Sequence, residues 1–310
     1  MTEMAPFDAA VLPSGLRSRF VEGVNGLRMH VLEAGFESEG RPCLLLLHGF
    51  PQFWWAWRHQ LVSLAEAGYR AVAVDLRGYG ASDKPPRGYD LPTLAADAAG
   101  LVRALGETNA TVVGHDWGGL LGWTMAARYP KVVRRLVAVS APHPLRLRAA
   151  ILTDPRGQGR AFGHALMFQL PFLPERRLTR GLVERLLRRW SGPGWPDPEV
   201  AARYAKAFRI PHVAHSALEY YRWLGRSQVR PDGRRYARQM RRQIEVPTLQ
   251  LHGALDTCVL PRSAQGSGRY VAAPYRWRLL DGAGHFPHEE RPDRFDAELL
   301  GWLADPEPER

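Results

Sequence analysis

Short, continuous apolar runs alternate with longer helical patterns over the first 140 residues of this chain. The runs at Cys43–Leu47, Ala71–Asp75, Thr111–Gly114 and Leu136–Ser140 have the length of strands and are apolar at nearly every position. Strands have this pattern when helices cover both faces of a parallel sheet. The alternation therefore predicts a mostly parallel sheet joined by right-handed helical crossovers.

The alternation stops near the middle of the chain and resumes before its end. Between about Pro142 and Ile244, helical patterns are broken by segments such as PFLPERR and SGPGWPDPE, and no strand is predicted. We predict that residues 1–141 and 246–310 form one core, and that residues 142–245 form an inserted helical cap. Further strands are predicted at Leu27–Glu33, Thr248–His252 and Trp277–Leu280, and helices at Trp55–Glu66, Leu91–Leu105, Gly118–Tyr129 and around Phe295–Leu303.

One segment combines a strand end, a sharp turn and the start of a helix. The sequence from Gly114 to Gly118, GHDWG, has the G-x-S-x-G pattern of a nucleophile elbow with Asp116 in the serine position. Glycines must flank such a turn because its backbone is tight, and the following helix favours a negative charge. We therefore predict that the Asp116 carboxylate is a nucleophile, with a helix-capping aspartate as the structural alternative.

A second loop follows the LLLL strand and carries the residues His48 to Pro51. With a nucleophile elbow, this loop provides one N–H of the oxyanion hole, and the residue after the nucleophile provides the other. The rule predicts the amides of Phe50 and Trp117 as donors. His48 and Pro51 are predicted to contact the substrate, and a cis bond before Pro51 would hold the loop.

The partners of the nucleophile follow in the chain order that this architecture requires. A strand ending at His252 leads to Asp256, and a later strand leads to His285 within GAGHFPHEE. The order nucleophile, acid, histidine is the expected one. We predict that Asp256 orients His285 and that His285 activates water.

The motifs HGFPQ, DLRGYGASDKP, GHDWGG and GHFPHEE resemble those of the α/β-hydrolase superfamily, in its epoxide hydrolase-like branch. The resemblance covers the chain from about Gly26 to its end. It implies the α/β-hydrolase fold, a mostly parallel sheet flanked by helices with an inserted helical cap. It also implies that Asp75 and Asp83 belong to a structural turn and lie outside the active site.

An aspartate nucleophile suits attack on saturated carbon, because acyl transfer to a carboxylate would give an unproductive anhydride. The expected reaction opens an apolar epoxide to a vicinal diol through an ester on Asp116. In similar epoxide hydrolases, two cap tyrosines donate hydrogen bonds to the epoxide oxygen. By resemblance, ALEYYRW places the second at Tyr221, with Tyr220 as a one-residue alternative, and GHALMFQLP has His164 at the first position. An imidazole also donates hydrogen bonds, so His164 is included in the site.

Other functions stay open on the sequence alone. A haloalkane or haloacid dehalogenase would use the same aspartate, and the indole of Trp117 could bind a halide. The arginines that hold a substrate carboxylate in haloacid dehalogenases are replaced here by Trp117 and Leu120, and the second halide donor by Phe50. Another α/β-hydrolase activity and a non-catalytic binding module are further alternatives.

The predicted pocket is apolar and includes Trp223 as a substrate contact. We therefore expect a small hydrophobic epoxide as the substrate, and the motifs require no metal or organic cofactor. The other aromatic residues assigned to the pocket are Phe53, Trp54, Trp55, Trp117, Phe162 and Phe168.

The net charge of +11 comes almost entirely from arginine, concentrated in RLLRRW and RPDGRRYARQMRRQ. We interpret these runs as solvated helix surfaces; a nucleic-acid or other anionic partner is the alternative, but no nucleic-acid motif accompanies them. The first twenty residues lack a signal-peptide pattern, and no apolar run approaches the roughly 20 residues that span a bilayer. We expect a cytoplasmic protein without membrane insertion or nucleic-acid partner.

Overall fold

The computed structural model describes residues 15–306, so most of the segment considered above for a signal peptide lies outside the described residues. The eight strands are β1 (Leu16–Val24), β2 (Leu27–Ala34), β3 (Cys43–Leu47), β4 (Arg70–Val74), β5 (Ala110–His115), β6 (Val133–Val139), β7 (Thr248–Gly253) and β8 (Tyr275–Leu280). They form one sheet in the order β1-β2-β4-β3-β5-β6-β7-β8.

The central strands are parallel and buried on both faces. β3 lies between β4 and β5 in parallel register, with Leu45 opposite both Val72 and Val112. Every residue of β3 and β5 is buried, which explains why both strands have continuous apolar sequences. The predicted mostly parallel α/β sheet is confirmed.

The edge of the sheet differs from the prediction because β1 was missed. β1 pairs antiparallel with β2 and is only partly buried, so its polar residues hide the strand pattern. Arg17 and Arg19 project from it to the buried Glu33 of β2, which Arg70 also contacts. Burial acts to raise the pKa of Glu33, but hydrogen bonds from the three arginines outweigh it and lower the pKa to about 2.

Helices cover the sheet and fill the stretch between β6 and β7. The predicted helix at Leu91 begins after Asp90, whose carboxylate accepts a hydrogen bond from the Thr93 amide at 2.9 Å. The helix predicted from Trp55 begins three residues later, because a 3-10 turn occupies Trp54–Trp57. The α-helices are α1 (Arg58–Glu66), α2 (Leu91–Ala104), α3 (Trp117–Arg128), α4 (Pro144–Thr153), α5 (His164–Met167), α6 (Leu173–Arg177), α7 (Val183–Trp190), α8 (Pro198–Ala207), α9 (Val213–Arg226), α10 (Pro231–Gln239), α11 (Pro261–Ala264), α12 (Pro287–Glu290) and α13 (Pro292–Ala304).

Residues of the stretch that contains helices α4 to α10 pack against the loop after β3 and the start of α3. The ring of Phe168 lies 5.5 Å from that of Phe50, and the ring of Tyr220 lies 5.4 Å from that of Trp117. The helical content of residues 142–245 agrees with a cap, although the division of the chain at these positions stays a prediction. Ile244 already forms an isolated bridge with Val271, so pairing with core residues begins just before the expected boundary.

Candidate active site

A strained turn presents Asp116 between β5 and α3. Asp116 has φ of 49° and ψ of −113°, in a region that residues with a Cβ rarely adopt. A Cβ on Gly114 would lie 2.1 Å from the carbonyl oxygen of Gly118, and a Cβ on Gly118 would lie 2.1 Å from that of Leu47. Only glycine fits at these two positions, which explains the spacing of the sequence motif.

The carboxylate of Asp116 lies between one backbone donor and one imidazole. The Phe50 amide donates a 2.9 Å hydrogen bond to Oδ2, and Nε2 of His285 lies 3.6 Å from Oδ1. Burial acts to raise the pKa of Asp116, but the neighbouring His285 ring outweighs it and lowers the pKa, so the group is ionised at neutral pH. The side chain accepts no hydrogen bond from the first turn of α3, so Trp117 as second oxyanion donor stays a prediction.

Asp256 holds His285 from the opposite side of its ring. Oδ2 of Asp256 lies 2.8 Å from Nδ1 of His285, while Oδ1 accepts the amides of Cys258 and Val259. His252 lies 3.2 Å from the same Oδ2. Burial disfavours the charged ring of His285, but Asp256 and Asp116 outweigh it and raise the His285 pKa to about 10. The resting site therefore contains an imidazolium between two carboxylates.

The His285 loop is fixed by Glu290, which was not predicted as a site residue. Glu290 is buried and accepts hydrogen bonds from the amides of Gly192 and Gly284, both at 2.7 Å, and of Phe286 at 2.9 Å. These bonds tie the loop to the segment after α7. The two glutamates at the end of GHFPHEE were the visible sign of this role, but the sequence does not show which backbone groups their carboxylates bind.

Tyr221 and His164 both lie near the nucleophile. The ring of Tyr221 packs edge-on against Trp117 at 5.0 Å and Phe50 at 5.3 Å. Burial and the negative charge of Asp116 raise the pKa of Tyr221 well above 10, although a hydrogen bond from Trp117 opposes this, so the phenol is protonated at neutral pH. The ring of His164 lies 5.6 Å from that of Tyr221.

The two nitrogens of His164 differ in their surroundings. Nδ1 lies 3.3 Å from the carbonyl oxygen of Ala161, whereas the buried Nε2 has no partner among the described residues. Burial lowers the pKa of His164 to about 4 despite the opposing charge of Asp116, so the ring is neutral at pH 7. Its unpartnered nitrogen is free to meet a substrate.

Two residues predicted to bind substrate have their polar atoms engaged with the main chain. Nε2 of His48 accepts the amide of Leu76 at 3.1 Å, and Nδ1 lies 2.9 Å from the carbonyl oxygen of Gly49, so both nitrogens are engaged with the main chain. The Tyr220 hydroxyl donates to the carbonyl of Arg77 at 2.7 Å. Both side chains are fully buried and hold the loops, so substrate contact by His48 and Tyr220 stays a prediction.

Pro51 is buried, and the peptide bond before it is cis. Substrate contact by Pro51 stays a prediction. The turn expected at Asp75 and Asp83 is structural: Asp75 accepts the amides of Trp54 and Ala81, and Asp83 accepts that of Arg28.

A cavity of about 260 Å³, walled mostly by apolar side chains, includes Tyr221 and Leu120 in its wall. Phe162 and Trp223 lie on its wall, as predicted for the pocket. Phe53, Trp54 and Trp55 do not line it; Phe53 instead packs against both tryptophans and Tyr204.

Two further aromatic residues reach the catalytic groups and were not predicted. The ring of Trp190 lies 4.8 Å from that of His164 and 5.7 Å from that of His285. Burial and the negative charge of Asp116 raise the pKa of Tyr79, and its buried hydroxyl has no partner within residues 15–306. No group of three metal-ligating side chains occurs in this part of the chain.

Comparison with known proteins agrees with this geometry. A family model described as "alpha/beta hydrolase fold" matches residues 42–292. The chain belongs to the α/β-hydrolase family. Within the family it falls in the epoxide hydrolase-like branch and is a hydrolase.

Three relatives illustrate the likeness. Epoxide hydrolase 3 of Xenopus tropicalis is 32% identical over 292 residues, covering 91% of this α/β-hydrolase and 76% of that protein. The crystal structure of epoxide hydrolase A from Mycobacterium thermoresistibile has a TM-score of 0.80 at 29% identity, covering 95% of this chain and all of that one. A putative acyltransferase from Salmonella enterica has a TM-score of 0.83 at 29% identity, covering 95% of this chain and 97% of that one.

Proposed function

We propose that this chain hydrolyses apolar epoxides to vicinal diols through an alkyl ester on Asp116. One observation carries the proposal: the elbow presents a carboxylate in the nucleophile position, with Oδ2 on the Phe50 amide and Oδ1 3.6 Å from Nε2 of His285, whose pKa the neighbouring carboxylates raise. A protonated histidine cannot activate a serine or water in the first step, whereas a carboxylate attacks without a base. The epoxide hydrolases among the relatives support the same substrate class.

In the first step, Oδ1 of Asp116 attacks an epoxide carbon while the carbon–oxygen bond breaks. Oδ2 is held by the Phe50 amide, which leaves Oδ1 as the attacking atom. The phenol of Tyr221 donates its proton to the departing oxygen, which becomes the first hydroxyl of the diol, and solvent reprotonates the tyrosinate. Nε2 of His164 assists when it carries a hydrogen, which requires the charged ring or loss of the Nδ1 contact with Ala161.

In the second step, His285 acts as a base, because ester formation has removed the negative charge of Asp116. Asp116 is one of the two carboxylates that raise the His285 pKa, and the ester is neutral. The imidazolium therefore releases its proton more readily once the ester has formed, and the neutral ring accepts a proton from water. Water then attacks the Asp116 carboxyl carbon, and the amides of Phe50 and Trp117 stabilise the oxyanion by about 3–4 kcal/mol each. The intermediate collapses with cleavage of the bond between this carbon and the alkyl oxygen, which takes the proton from His285 and leaves as the second hydroxyl of the diol. The new acid of Asp116 returns its proton to His285, which restores the carboxylate and the imidazolium.

The geometry gives less support to the alternatives. The indole of Trp117, which would bind a halide in a dehalogenase, is hydrogen-bonded with Tyr221. Leu120 is an apolar wall of the cavity, where a haloacid dehalogenase would need a cation for the substrate carboxylate. Acyl transfer, the activity for which the Salmonella protein is named, does not suit a carboxylate nucleophile, since it would form an anhydride.

The test separates the two steps with His285→Gln. This variant should form the ester but not hydrolyse it, so its intact mass should rise after exposure to an aryl epoxide by the whole mass of that epoxide. Peptide mapping should place the addition on Asp116. The double variant with Asp116→Asn is the matched control and should show no addition.

The other outcomes assign other functions. An adduct formed only from a bromoalkane, without bromine, would make the protein a dehalogenase. No adduct with either reagent, and no turnover by the wild type, would contradict the proposal. Ligand binding that persists in Asp116→Asn without any wild-type turnover would identify a non-catalytic binding module.

A further inference from the structure

The outer end of the 260 Å³ cavity is surrounded by exposed aliphatic side chains. Leu152 of α4 and Leu166 of α5 lie on the cavity wall, yet they are 70% and 77% exposed. Val229, next to the wall residue Gln228, is 76% exposed. Two helices thus place large aliphatic groups in solvent at one opening, which we call the cavity mouth, and Val229 follows a residue of its wall. Such clusters mark interaction surfaces more often than single exposed residues do.

The aliphatic surface extends along the chain after α5. Gln169 lies on the cavity wall and also on a neighbouring surface groove. Leu170 and Phe172, which follow it, are 47% and 84% exposed. Phe172 has φ of 59°, a conformation that is uncommon for a bulky residue. The backbone here presents an aromatic side chain to solvent.

The positive charge of the protein lies in the same part of the chain. Residues 142–245 contain 21 Lys and Arg against 8 Asp and Glu, a net charge of +13. The remaining residues contain 21 against 23, a net charge of −2. The excess of +11 therefore belongs entirely to the stretch that carries the cavity mouth.

Part of this charge lies on α4 and α10, which contribute to the cavity wall. Gly233 and Ala237 of α10 lie on the cavity wall, and each is followed by an exposed arginine, Arg234 and Arg238. These two arginines are one helical turn apart on one stripe of α10, and neither has a carboxylate partner within residues 15–306. Arg148, on the wall itself, is also exposed. The cavity mouth thus combines aliphatic groups with unneutralised arginines.

We propose that the cavity mouth docks on the surface of an anionic lipid bilayer. Aliphatic side chains enter the boundary between headgroups and acyl chains, and arginines bind the lipid phosphates around them. A nucleic acid would engage the arginines but would leave the aliphatic groups in water, so a lipid surface accounts for more of the mouth. No helix within residues 15–306 could cross a membrane, and surface docking requires none.

Docking would bring the cavity opening to the lipid phase. If the proposed function holds, an apolar epoxide dissolved in the bilayer enters the cavity and reaches Tyr221 without crossing water. Docking itself does not depend on turnover. Asp116→Asn should therefore bind vesicles as the wild type does, and failure of the epoxide reaction would leave the docking result unaffected.

The test is flotation of the full chain with vesicles at about 0.1 M salt, where charges are screened beyond roughly 10 Å. Vesicles of phosphatidylcholine containing about one third phosphatidylglycerol should carry the protein upward, and pure phosphatidylcholine should carry much less. Removing two arginines in Arg234→Gln/Arg238→Gln should weaken binding about 25-fold, since each arginine near such a surface contributes about fivefold.

The aliphatic contribution is tested separately. Leu152→Ser/Leu166→Ser/Val229→Ser should weaken vesicle binding by at least about 100-fold, because full burial of one such side chain is worth tenfold or more. The replaced groups are exposed, so the thermal unfolding midpoint should stay within a few degrees of the wild type. The charge-matched control is Arg185→Gln/Arg188→Gln on α7, which is exposed but does not line the cavity.

Each remaining outcome overturns the proposal. If the α7 control lost as much vesicle binding, the attraction would come from the net charge of the protein and not from the arginines near the cavity mouth. If the triple serine variant bound vesicles as the wild type does, the aliphatic side chains would not contact the lipid. Retention on duplex DNA with no vesicle binding would assign the arginines to nucleic acid.

Discussion

Replacing Asp256 with asparagine should slow the second chemical step far more than the first. The asparagine oxygen can still accept the amides of Cys258 and Val259, so the loop keeps its geometry. The amide nitrogen would face Nδ1 of His285, and the negative charge there would be lost. Ester formation needs only the charge of Asp116, whereas ester hydrolysis develops a positive charge on His285 that Asp256 stabilises.

The size of the effect follows from the pKa of His285. A rise from the usual 6.5 to about 10 corresponds to about 5 kcal/mol of preference for the charged ring. Asp256 lies 2.8 Å from the ring and Asp116 lies 3.6 Å away, so we assign somewhat more than half of this preference to Asp256. Losing about 3 kcal/mol in the transition state slows hydrolysis on the order of 100-fold.

The assay is rapid chemical quench of a single turnover, followed by intact mass. Ester formation in Asp256→Asn should stay within about tenfold of the wild type, and the ester should accumulate because its hydrolysis is slower by about 100-fold. Asp281→Asn is the matched control: it removes an exposed carboxylate from the loop that leads to His285. That variant should behave as the wild type in both steps.

Two results would refute the reasoning. If Asp256→Asn slowed both steps equally, Asp256 would act on the geometry of Asp116 rather than on the charge of His285. If the variant hydrolysed its ester at the wild-type rate, Asp256 would not be the acid of this site. In either case the assignment of roles, and not only their magnitude, would be wrong.

Three further predictions concern groups outside the reacting atoms. Tyr220→Phe should lower the free energy of unfolding, measured in urea, by about 1 kcal/mol, because its hydroxyl donates a hydrogen bond to the Arg77 carbonyl. Ester formation should not slow, and a large loss of rate would show that the hydroxyl contacts the substrate. Tyr79→Phe should be as stable as the wild type or about 1 kcal/mol more stable, since its buried hydroxyl has no partner among the described residues, and a clear loss of stability would indicate an unrecognised hydrogen bond. Glu33→Gln should lower the free energy of unfolding by about 2 kcal/mol at pH 7. This is less than the whole pKa shift of Glu33 would give, because two of its arginines are partly exposed and water screens them. The folded pKa of Glu33 is lowered to about 2 from the usual 4.5, so its contribution is present above pH 4.5 and the gap between variant and wild type should close as pH falls toward 2. A gap that stays constant over that range would contradict the ion-pair explanation.

The central sheet and the main positions of the site could be predicted because they depend on local rules. A strand buried on both faces must be apolar throughout, and a turn as tight as that at Asp116 requires glycine at fixed spacing. Asp256 and His285 then follow from chain order. These constraints act over a few residues, so they are visible in one sequence.

The contacts of single side chains could not be predicted in the same way. Tyr220 and Tyr221 are neighbours on α9 and point about 100° apart, and the sequence does not show which of them faces Asp116. His48 lies in a motif of the site, but only the folded backbone brings the Leu76 amide to its ring. β1 was missed because an edge strand with one solvated face lacks an apolar run.

The tight contacts at the elbow involve the glycines and the main chain. A Cβ on Gly114 or Gly118 would collide with backbone oxygen atoms, whereas the side chain at position 116 reaches into the site. The shape of the turn is thus independent of the chemical identity of the nucleophile. A serine at this position would have the same imidazole beside it, and the Phe50 amide, no longer bound to Oδ2, would be left for an acyl oxyanion. After gene duplication, a substitution at position 116 could move a copy of this protein toward ester substrates without repacking its core.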